Sequence, residues 1–447
     1  MENSGKKVTK HVPDDLVYKI FQRLPGKSLL RLRCSSKMWC NNIDGISFAN
    51  SHEALCTAGD VVSEEPQVLS VPLLLGSIVK KVHSLVYDGN ENLMKRNEYP
   101  ILEFLSNKQG RDYRISQVAY GLLCIEKVDH AQETFLCNPV RGEVLELPGP
   151  GLTNRESIGH TMWYGMGFDS TSDWYKVVRM YYVYEVCEFA AEVYTLGTDS
   201  WRRIATTPSC YLSLPGVSAY GDMHWRRHAC SNESEEERRK MILTFDFKKE
   251  EFKWLSHPDF GCKPCEAFRL INLRGSLAVV SFPSNILIEI WVLKDYKSEH
   301  YWEREHKIII DQLWVREPET GIIKCDNDLS LWKKHHRANN TFSAGVGAAG
   351  VGTLGHDGIF FDTNNDKEMF LLDLQTNRLW YKQKQFPLVE GCEGYNFHKD
   401  IFNYTGSVLS LRNFARNYGI FEESVEDMDS QKYSFLKTAR HVYISPL

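Results

Sequence analysis

A short hairpin pattern recurs along the chain and restricts its possible folds more than any other feature. An apolar residue precedes a turn-forming residue, and an aromatic or aliphatic residue stands six positions after the turn-former. Short runs of Val, Ile, Tyr, Phe and Trp alternate with turn residues around each copy, and long helical periodicity is absent beyond about residue 70. The copies cover residues 138–144, 169–175, 195–201, 246–252 and 373–379, with a lengthened version at 291–302.

A glycine that opens a short apolar strand precedes several of these hairpins. Gly121 lies 17 residues before the turn-former Asn138, and Gly358 lies 15 residues before Asp373. Units of roughly fifty residues with four strands each are what a β-propeller requires, since each blade buries its faces only against its neighbours. We therefore predict a large all-β propeller of six to eight blades. A β-sandwich with chance hairpin similarity is the alternative fold.

Two further expectations concern individual blades. The hairpins at 169–175 and 195–201 are close enough in sequence to belong to one blade. The apolar segment 406–411 has no hairpin after it, so we expect a strand from near residues 70 to 90 to complete the last blade. Such closure removes the free sheet edges that otherwise invite aggregation.

The N-terminal stretch 11–39 has a different character and predicts three short helices. Pro13 suits the first position of a helix, where its missing N–H is harmless. Asp14 and Asp15 follow it and favour the positive end of the helix dipole. An apolar stripe recurs every four residues along this helix at Leu16, Ile20 and Leu24.

Two more helices are predicted after this first one. Pro25 and Gly26 end the first helix, and Ser28 is the expected N-cap of a second helix with three leucines, Leu29, Leu30 and Leu32. Ser35 or Ser36 can cap a third helix that carries Trp39. Three helices in about forty residues bury too little surface to be stable alone, so their apolar faces require a partner.

This stretch resembles an F-box, in register and without a gap. The matching positions are Pro13, Asp14, Asp15, Leu16, Ile20, Arg23, Leu24, Pro25, Lys27, Ser28, Leu29, Leu30, Arg31, Arg33, Cys34, Ser36, Lys37 and Trp39. Val12 and Gly26 depart from the common pattern, and Gly26 removes a small apolar contact. The resemblance implies docking onto a Skp-type adaptor, which links the chain to a cullin-based ubiquitin ligase. It also implies that eight residues form or support the adaptor-facing surface: Pro13, Leu16, Ile20, Leu24, Pro25, Leu29, Leu32 and Trp39.

The β-rich region resembles the F-box-associated domain of plant F-box proteins, most clearly over residues 121–308. The resemblance is carried by residues 165–180, 191–204, 220–226, 242–255, 273–280 and 288–293. The hairpins also resemble the Tyr-Asp-x4-Trp element of kelch repeats, although the kelch Gly-Gly doublet is missing. The resemblance implies a kelch-like propeller that binds a target protein.

We therefore expect a polar tail at 1–10, an F-box at 11–50, a linker at 51–70 and an F-box-associated propeller domain at 71–447. The 447 residues carry a formal net charge of −5, so no basic field favours nucleic acid as a partner. No apolar run is long enough for a membrane helix, and the N-terminus lacks the apolar core of a secretory signal. The 12 scattered cysteines then fit reduced thiols, and we expect the protein in the cytoplasm, the nucleus or both.

Three motifs suggest binding chemistry but lack the context that it needs. Residues 345–350 match G-x-G-x-x-G without a βαβ unit around them, so a flexible loop is expected. Cys262 and Cys265 form a single C-x-x-C pair; His257 could join them, but a fourth zinc ligand is not evident. The basic cluster around His335 predicts a solvated loop, and a contact to an acidic partner is the alternative. We expect no catalytic, cofactor-binding or metal-binding residues, and no cofactor.

The sequence favours a non-catalytic adaptor: a substrate-recognition subunit of a Skp–cullin–F-box ubiquitin ligase. The propeller would hold a target protein on the loops of one face, although neither the target nor the face can be named. The alternative is an F-box-tethered propeller that binds a small molecule or a glycan. Sugars could stack on tryptophans such as Trp163, Trp174, Trp201, Trp225 and Trp254, although their blade positions favour packing. A propeller enzyme is the third hypothesis, and no motif selects its catalytic groups.

Overall fold

In the computed structural model of the chain, four N-terminal helices are followed by a ring of β-sheets. The structure describes residues 13–58, 67–73, 82–87, 94–99, 113–127, 133–149, 158–205, 207–208, 210–228, 234, 240–260, 268–284, 287–296, 301–309, 314–316, 323–324, 351–354, 357–362, 368–376, 378–383, 398–404, 406–414, 420–421 and 442–444.

The helices are α1 Asp14–Phe21, α2 Gly26–Arg33, α3 Lys37–Asp44 and α4 Ile46–Ala58. The fourth helix was not predicted, because its sequence carries no clear apolar stripe and was interpreted as a connection. It nevertheless buries Phe48, Ala49 and His52. Helix α4 and the first strand, which begins at Gln67, both extend into the segment 51–70 that the sequence predicted as a linker.

The ends of the helices agree with the sequence in part. The Ser36 hydroxyl caps α3 as predicted, because it accepts a hydrogen bond from the Trp39 N–H at 3.1 Å. The prediction for Ser28 was wrong: α2 already begins at Gly26, with Pro25 at its N-cap position, so Ser28 lies inside the helix. The Pro25 ring fixes its own φ at −57°, and its ψ of 144° lies outside the helical region, so the helix begins directly after it.

Within the described residues, the ring contains five blades built from consecutive strands and one closing sheet. The closing sheet takes its first three strands from β1 Gln67–Leu73, β2 Val82–Tyr87 and β3 Met94–Tyr99. Blades 1 and 2 contain β4 Tyr113–Ala119, β5 Leu122–Lys127, β6 Thr134–Asn138, β7 Glu143–Glu146, β8 Ile158–Asp169, β9 Trp174–Val183, β10 Glu188–Thr195 and β11 Arg202–Arg203. Blades 3 and 4 contain β12 Val217–Ala219, β13 Asp222–Arg226, β14 Ile242–Asp246, β15 Glu251–Leu255, β16 Phe268–Leu273, β17 Ser276–Ser284, β18 Leu287–Lys294 and β19 Tyr301–Ile309.

The remaining strands complete blade 5, the closing sheet and two outer extensions. They are β20 Trp314–Arg316, β21 Ile323–Lys324, β22 Val351–Leu354, β23 Gly358–Asp362, β24 Glu368–Asp373, β25 Arg378–Gln383, β26 His398–Tyr404, β27 Ile420–Phe421 and β28 Val442–Ile444. Strands β22 to β25 form blade 5. Strand β20 extends blade 5 through a parallel pairing with β25, and β28 extends blade 1 through a parallel pairing with β7.

Strand β26 closes the ring by pairing antiparallel with β1, with Gln67 opposite Tyr404 and Leu73 opposite His398. The innermost strands of the six sheets contact one another in the order β26, β4, β8, β12, β16, β22 and back to β26. An N-terminal strand therefore completes the last sheet, as predicted, but its partner is β26 and not segment 406–411. The blades of consecutive strands number five rather than the predicted six to eight, and the sixth sheet is this composite one.

The recurring hairpins are confirmed as turns between paired strands, and the structure explains their first residue. In four copies the side-chain oxygen of that residue accepts hydrogen bonds from two backbone N–H groups of the turn. In this Asx arrangement the side-chain oxygen pairs with backbone N–H groups of the turn, which have no partner in the neighbouring strand. The four residues are Asn138, Asp169, Asp246 and Asp373. The copies at 169–175 and 195–201 lie in one sheet, as the sequence predicted.

The glycines that open the second strand of each unit complete tight turns. Tyr120 and Gly121 both have positive φ, of 54° and 65°, and Tyr220 and Gly221 repeat this with 57° and 87°. Two successive positive φ values define the type I′ turn, whose twist matches that of the flanking strands. Glycine is required in the second position because it enters this region without steric cost.

Candidate functional site

Helix α1 presents two aliphatic side chains to solvent. Leu16 is 51% exposed and Ile20 is 55% exposed, and their spacing of four residues places them on the same helical face. The opposite face packs inward through aromatic rings: Tyr18 meets Phe48 with ring centroids 5.3 Å apart, and Phe21 packs on a neighbouring helix. A contiguous exposed apolar surface can mark a site of contact with another protein.

A third exposed apolar side chain of the helical region is Met38 on α3, which is 48% exposed. Sequence reasoning did not select Met38, because it lies outside the four-residue repeat of α1. The flexible thioether of methionine adapts well to a partner surface. Among the described residues of α1 to α4, the large exposed hydrophobic side chains are Leu16, Ile20 and Met38.

The eight residues predicted for the adaptor-facing surface divide into three groups. Pro13, Leu16 and Ile20 are exposed. Leu29 is fully buried and can only support the surface from beneath. The partly buried members are Leu24, Pro25, Leu32 and Trp39.

Leu24 does not belong to the α1 stripe in which the sequence placed it. Helix α1 ends at Phe21, and Leu24 lies in the turn that follows and packs against the buried core. Its carbonyl oxygen accepts a hydrogen bond from the Nε2–H of His52 on α4 at 2.9 Å. The exposed part of the predicted stripe is therefore the pair Leu16 and Ile20.

The helices are seated directly on the propeller. Leu29 and Phe48 belong to the same buried cluster as residues of blades 1 and 2, including Leu136 and Tyr175. The Tyr175 hydroxyl also donates a hydrogen bond to Asn50 Oδ1 of α4 at 2.7 Å. A shared apolar core of this kind fixes one element against another far more firmly than surface contacts do.

An ionic network at the end of α3 strengthens this seat. Asp44 accepts two hydrogen bonds from Arg33, from Nε at 2.6 Å and from Nη2 at 2.7 Å, and a third from Arg141 Nη2 at 2.6 Å. Burial opposes ionisation of Asp44 most strongly, but the hydrogen bonds and charges of the two arginines outweigh it and lower the pKa of Asp44. Asp44 is therefore ionised at neutral pH and pairs with both guanidinium groups.

The network continues into the C-terminal part of the chain. Arg141 Nε donates to Glu143 at 3.1 Å, and the same carboxylate accepts hydrogen bonds from the Ser410 hydroxyl and, at 2.7 Å, from the Leu411 N–H. Asn413 connects this segment to the helices, because its Nδ2 donates a hydrogen bond to the carbonyl of Asp44 at the end of α3 at 2.6 Å. One polar network therefore joins α3, blade 1 and segment 406–414.

Most of the tryptophans considered for sugar stacking contribute to packing. Trp163 and Trp225 are buried between blades 2 and 3. Trp174 and Trp201 are partly buried against the core that includes the helices. Trp254 is 40% exposed, and the Arg227 guanidinium lies 5.8 Å from its ring centroid.

The metal-binding, membrane and loop motifs considered in the sequence are compared next with the described residues. Among the residues that the structure describes, no group of three or more His, Cys, Asp and Glu side chains is placed to hold a metal ion. In the same part of the chain, no helix is long and apolar enough to cross a membrane. Cys262, Cys265, the cluster around His335 and the glycine-rich segment 345–350 lie outside the described residues.

The chain therefore combines a short helical module that has an exposed apolar face with a β-propeller on which the helices are fixed. Comparison with protein families identifies both parts. The F-box domain family matches residues 10–49, and the F-box associated beta propeller domain family matches residues 88–323. The chain belongs to the F-box associated beta propeller family and is a plant F-box protein.

Similar proteins of known sequence come from Arabidopsis thaliana. The F-box/kelch-repeat protein At3g23880 is 23% identical over 74% of this chain and 92% of its own length. The F-box protein At3g07870 is 25% identical over 66% of this chain and 72% of its own length. The F-box protein CPR1 is 26% identical over 66% of this chain and 72% of its own length.

Proposed function

We propose that this chain is the substrate-recognition subunit of a Skp–cullin–F-box ubiquitin ligase. In this proposal the F-box docks onto a Skp-type adaptor, the adaptor connects to a cullin, and the propeller binds a target protein for ubiquitination. The observation that carries the proposal is the exposure of Leu16 and Ile20 on one face of α1. The family membership of both parts of the chain supports it.

The energetics of α1 suit such a docking surface. Complete burial of a large aliphatic side chain contributes roughly 1.5–3 kcal/mol, from which the cost of association is subtracted. Leu16 and Ile20 keep about half of their surface in water in the free chain, so a partner that covers them gains part of this energy. An aspartate at either position would instead place a charge in an apolar interface, which is strongly unfavourable.

The proposed mechanism is proximity without bond chemistry in this chain. The shared core and the Asp44 network hold the helices in one position on the ring. An adaptor bound to α1 would therefore hold the propeller, and any target on it, at a defined position in the ligase. Such positioning raises the effective concentration of a target lysine at the ubiquitin-carrying subunit.

A pull-down with a purified plant Skp-type adaptor tests the proposal. The wild-type chain is compared with Leu16→Asp/Ile20→Asp, which leaves the packed face of α1 intact. The matched control is Val186→Asp/Leu214→Asp, which adds the same charge at two exposed apolar positions of the propeller. We expect the wild type and the control to bind and the α1 variant to lose binding. Failure of the wild type to bind any adaptor, or equal binding by the α1 variant, would contradict the proposal.

A further inference from the structure

Exposed aromatic side chains gather at one place on blade 2. Tyr184 lies in the β9–β10 turn and Tyr211 in the segment that leads to β12, and each is 54% exposed. Tyr182 connects them, with ring centroids 5.4 Å from Tyr184 and 6.4 Å from Tyr211. Phe189 completes the group at 5.2 Å from both Tyr182 and Tyr211. We call these four residues the tyrosine patch.

The tyrosine patch rests on a fixed support. The buried Trp163 ring lies 5.8 Å from Tyr211 and 6.1 Å from Phe189, and its indole N–H donates to the Leu212 carbonyl at 2.8 Å. Rigid aromatic side chains lose little conformational entropy when a partner binds. Tyrosine is one of the residue types enriched at the energetic centre of protein interfaces.

The patch lies at the end of blade 2 that points away from the F-box. Strand β9 begins beside the helices, where the Tyr175 hydroxyl bonds to Asn50, and it ends at Val183, directly before the β9–β10 turn. A strand of this length spans roughly 30 Å. A protein held by the patch would therefore leave the α1 face free for an adaptor.

The charges around the tyrosine patch are acidic on the exposed side. Glu185 and Glu188 lie in and directly after the β9–β10 turn, and both are exposed. On the inner side of the patch, Arg227 is buried and donates from Nε to the Lys240 carbonyl at 3.0 Å. His228 has its pKa lowered by burial and by neighbouring arginine charge, so it is neutral at pH 7.

We infer that the tyrosine patch, with Glu185 and Glu188, is the surface that binds the target and that it recognises a basic segment of that protein. Arginine and lysine side chains bind to the faces of aromatic rings and pair with carboxylates, and an arginine can do both at once. The inference rests on the proposed function only for the role of the bound protein as a ubiquitination target. The binding itself needs neither the F-box nor the adaptor.

Selection from a display library of random twelve-residue peptides on the full chain tests this inference. Peptides are selected on the wild type, and each is then measured against Tyr184→Ser/Tyr211→Ser and against Glu185→Gln/Glu188→Gln. We expect selected peptides to be enriched in Arg and Lys, and to bind the tyrosine variant at least about tenfold more weakly. The glutamine variant should bind several-fold more weakly and show less dependence on salt.

Matched controls separate the patch from general surface effects. Tyr301→Ser removes another tyrosine, 56% exposed on a different blade, and Glu251→Gln removes another exposed carboxylate. Both should bind the selected peptides like the wild type. Failure to select any peptide, selection without basic enrichment, or equal binding by the tyrosine variant would each overturn the inference.

The same variants distinguish this inference from the proposed ligase function. Tyr184→Ser/Tyr211→Ser should still capture the Skp-type adaptor, and Leu16→Asp/Ile20→Asp should still bind the selected peptides. If the wild type binds basic peptides but no adaptor, the ligase role fails and the patch stands. If it binds the adaptor but its peptides ignore the patch, the ligase role stands and the patch assignment fails.

Discussion

The Asp44 carboxylate lies 2.6 Å from the Arg141 guanidinium, and this pair joins residues that are 97 positions apart in sequence. Asp44 is the last residue of α3, and Arg141 belongs to the β6–β7 turn of blade 1. The Arg141 side chain is almost fully buried, whereas that of Asp44 is partly exposed. The pair thus fixes the edge of the helical module to the ring.

Replacement of Asp44 should weaken this attachment measurably. Asp44→Asn keeps the shape of the side chain but leaves Arg33 and Arg141 without their shared charge partner. We expect the free energy of unfolding to fall by about 1–3 kcal/mol, less than for a fully buried pair because Asp44 is partly exposed. Urea unfolding measures the loss, and Asp199→Asn at an exposed turn is the control that should change little. A loss no larger than that of Asp199→Asn would contradict the structural role of the pair.

Asn138 and Asp246 occupy the same position of the hairpin pattern but should not be interchangeable. The Asn138 amide also donates to the carbonyls of Ser407 and Leu409, at 3.0 and 2.8 Å, whereas the Asp246 carboxylate faces Lys253 at 3.1 Å. Asn138→Asp would place a buried carboxylate against two carbonyl oxygens, and we expect a loss of about 3 kcal/mol or more. Asp246→Asn keeps the turn acceptor and should cost less than about 1 kcal/mol. Similar losses in the two variants, measured by urea unfolding, would show that the amide contacts carry little energy.

The hairpins were the most predictable part of the fold, because each is specified by residues close together in sequence. Asp169 and Asp246 occupy turn positions where a short acceptor bonds to neighbouring N–H groups, and that preference is visible without a structure. The role of Asn138 in holding segment 406–414 depends on partners far along the chain. Nothing in the local pattern separates it from the aspartates, so this contact could not be predicted.

Gly167 should tolerate a methyl group poorly. A Cβ atom at this position would lie 2.0 Å from the ring of Phe247, which is fully buried between blades 2 and 3. We expect Gly167→Ala to lower the free energy of unfolding by about 3 kcal/mol through overpacking. Gly221→Ala meets no atom within 4 Å but has a φ of +87°, so it should cost only about 1 kcal/mol in backbone strain. The reverse order of the two losses in denaturant unfolding would contradict the close packing of blades 2 and 3.

His224 should make the stability of the propeller depend on pH. Its Nε2–H donates to the Ala219 carbonyl and its Nδ1 accepts from the Thr244 hydroxyl, while burial lowers its pKa from 6.5 to about 4. Below pH 6.5 the unfolded chain takes up a proton at this residue and the folded chain does not, so stability falls as the pH drops towards 4. The expected loss from this group is roughly 3 kcal/mol.

The His224→Gln variant isolates this contribution from the carboxylates that titrate at lower pH. Unfolding free energies of the wild type and the variant are compared between pH 7 and pH 4.5. The wild type should lose stability more steeply, and the difference between the two curves should begin near pH 6.5. Parallel curves would mean that His224 takes up its proton in the folded protein at about the same pH as in the unfolded chain.

The exposed apolar residues of the candidate site could be predicted from the sequence, but the contacts that hold the helices on the ring could not. The repeat of Leu16 and Ile20 is a local pattern, and the structure leaves both side chains exposed. The packing of α4 against the ring escaped prediction, because its buried residues Phe48 and His52 stand among small and polar ones. The contacts of the helices with blade 1 depend on which blade the chain brings beneath them, and no periodicity encodes that.

The composite closing sheet joins a strand that is made early in synthesis to a strand that is made late. Strand β1 leaves the ribosome early, but its partner β26 follows more than 300 residues later. The edge of β1 therefore stays unpaired through most of translation, and segment 406–414, which also contacts the helices, is made after β26. A chain released before this point carries all four helices and blades 1 and 2 but lacks the part of the helix support that segment 406–414 supplies. The firmness with which the F-box is held therefore depends on the last part of the ring.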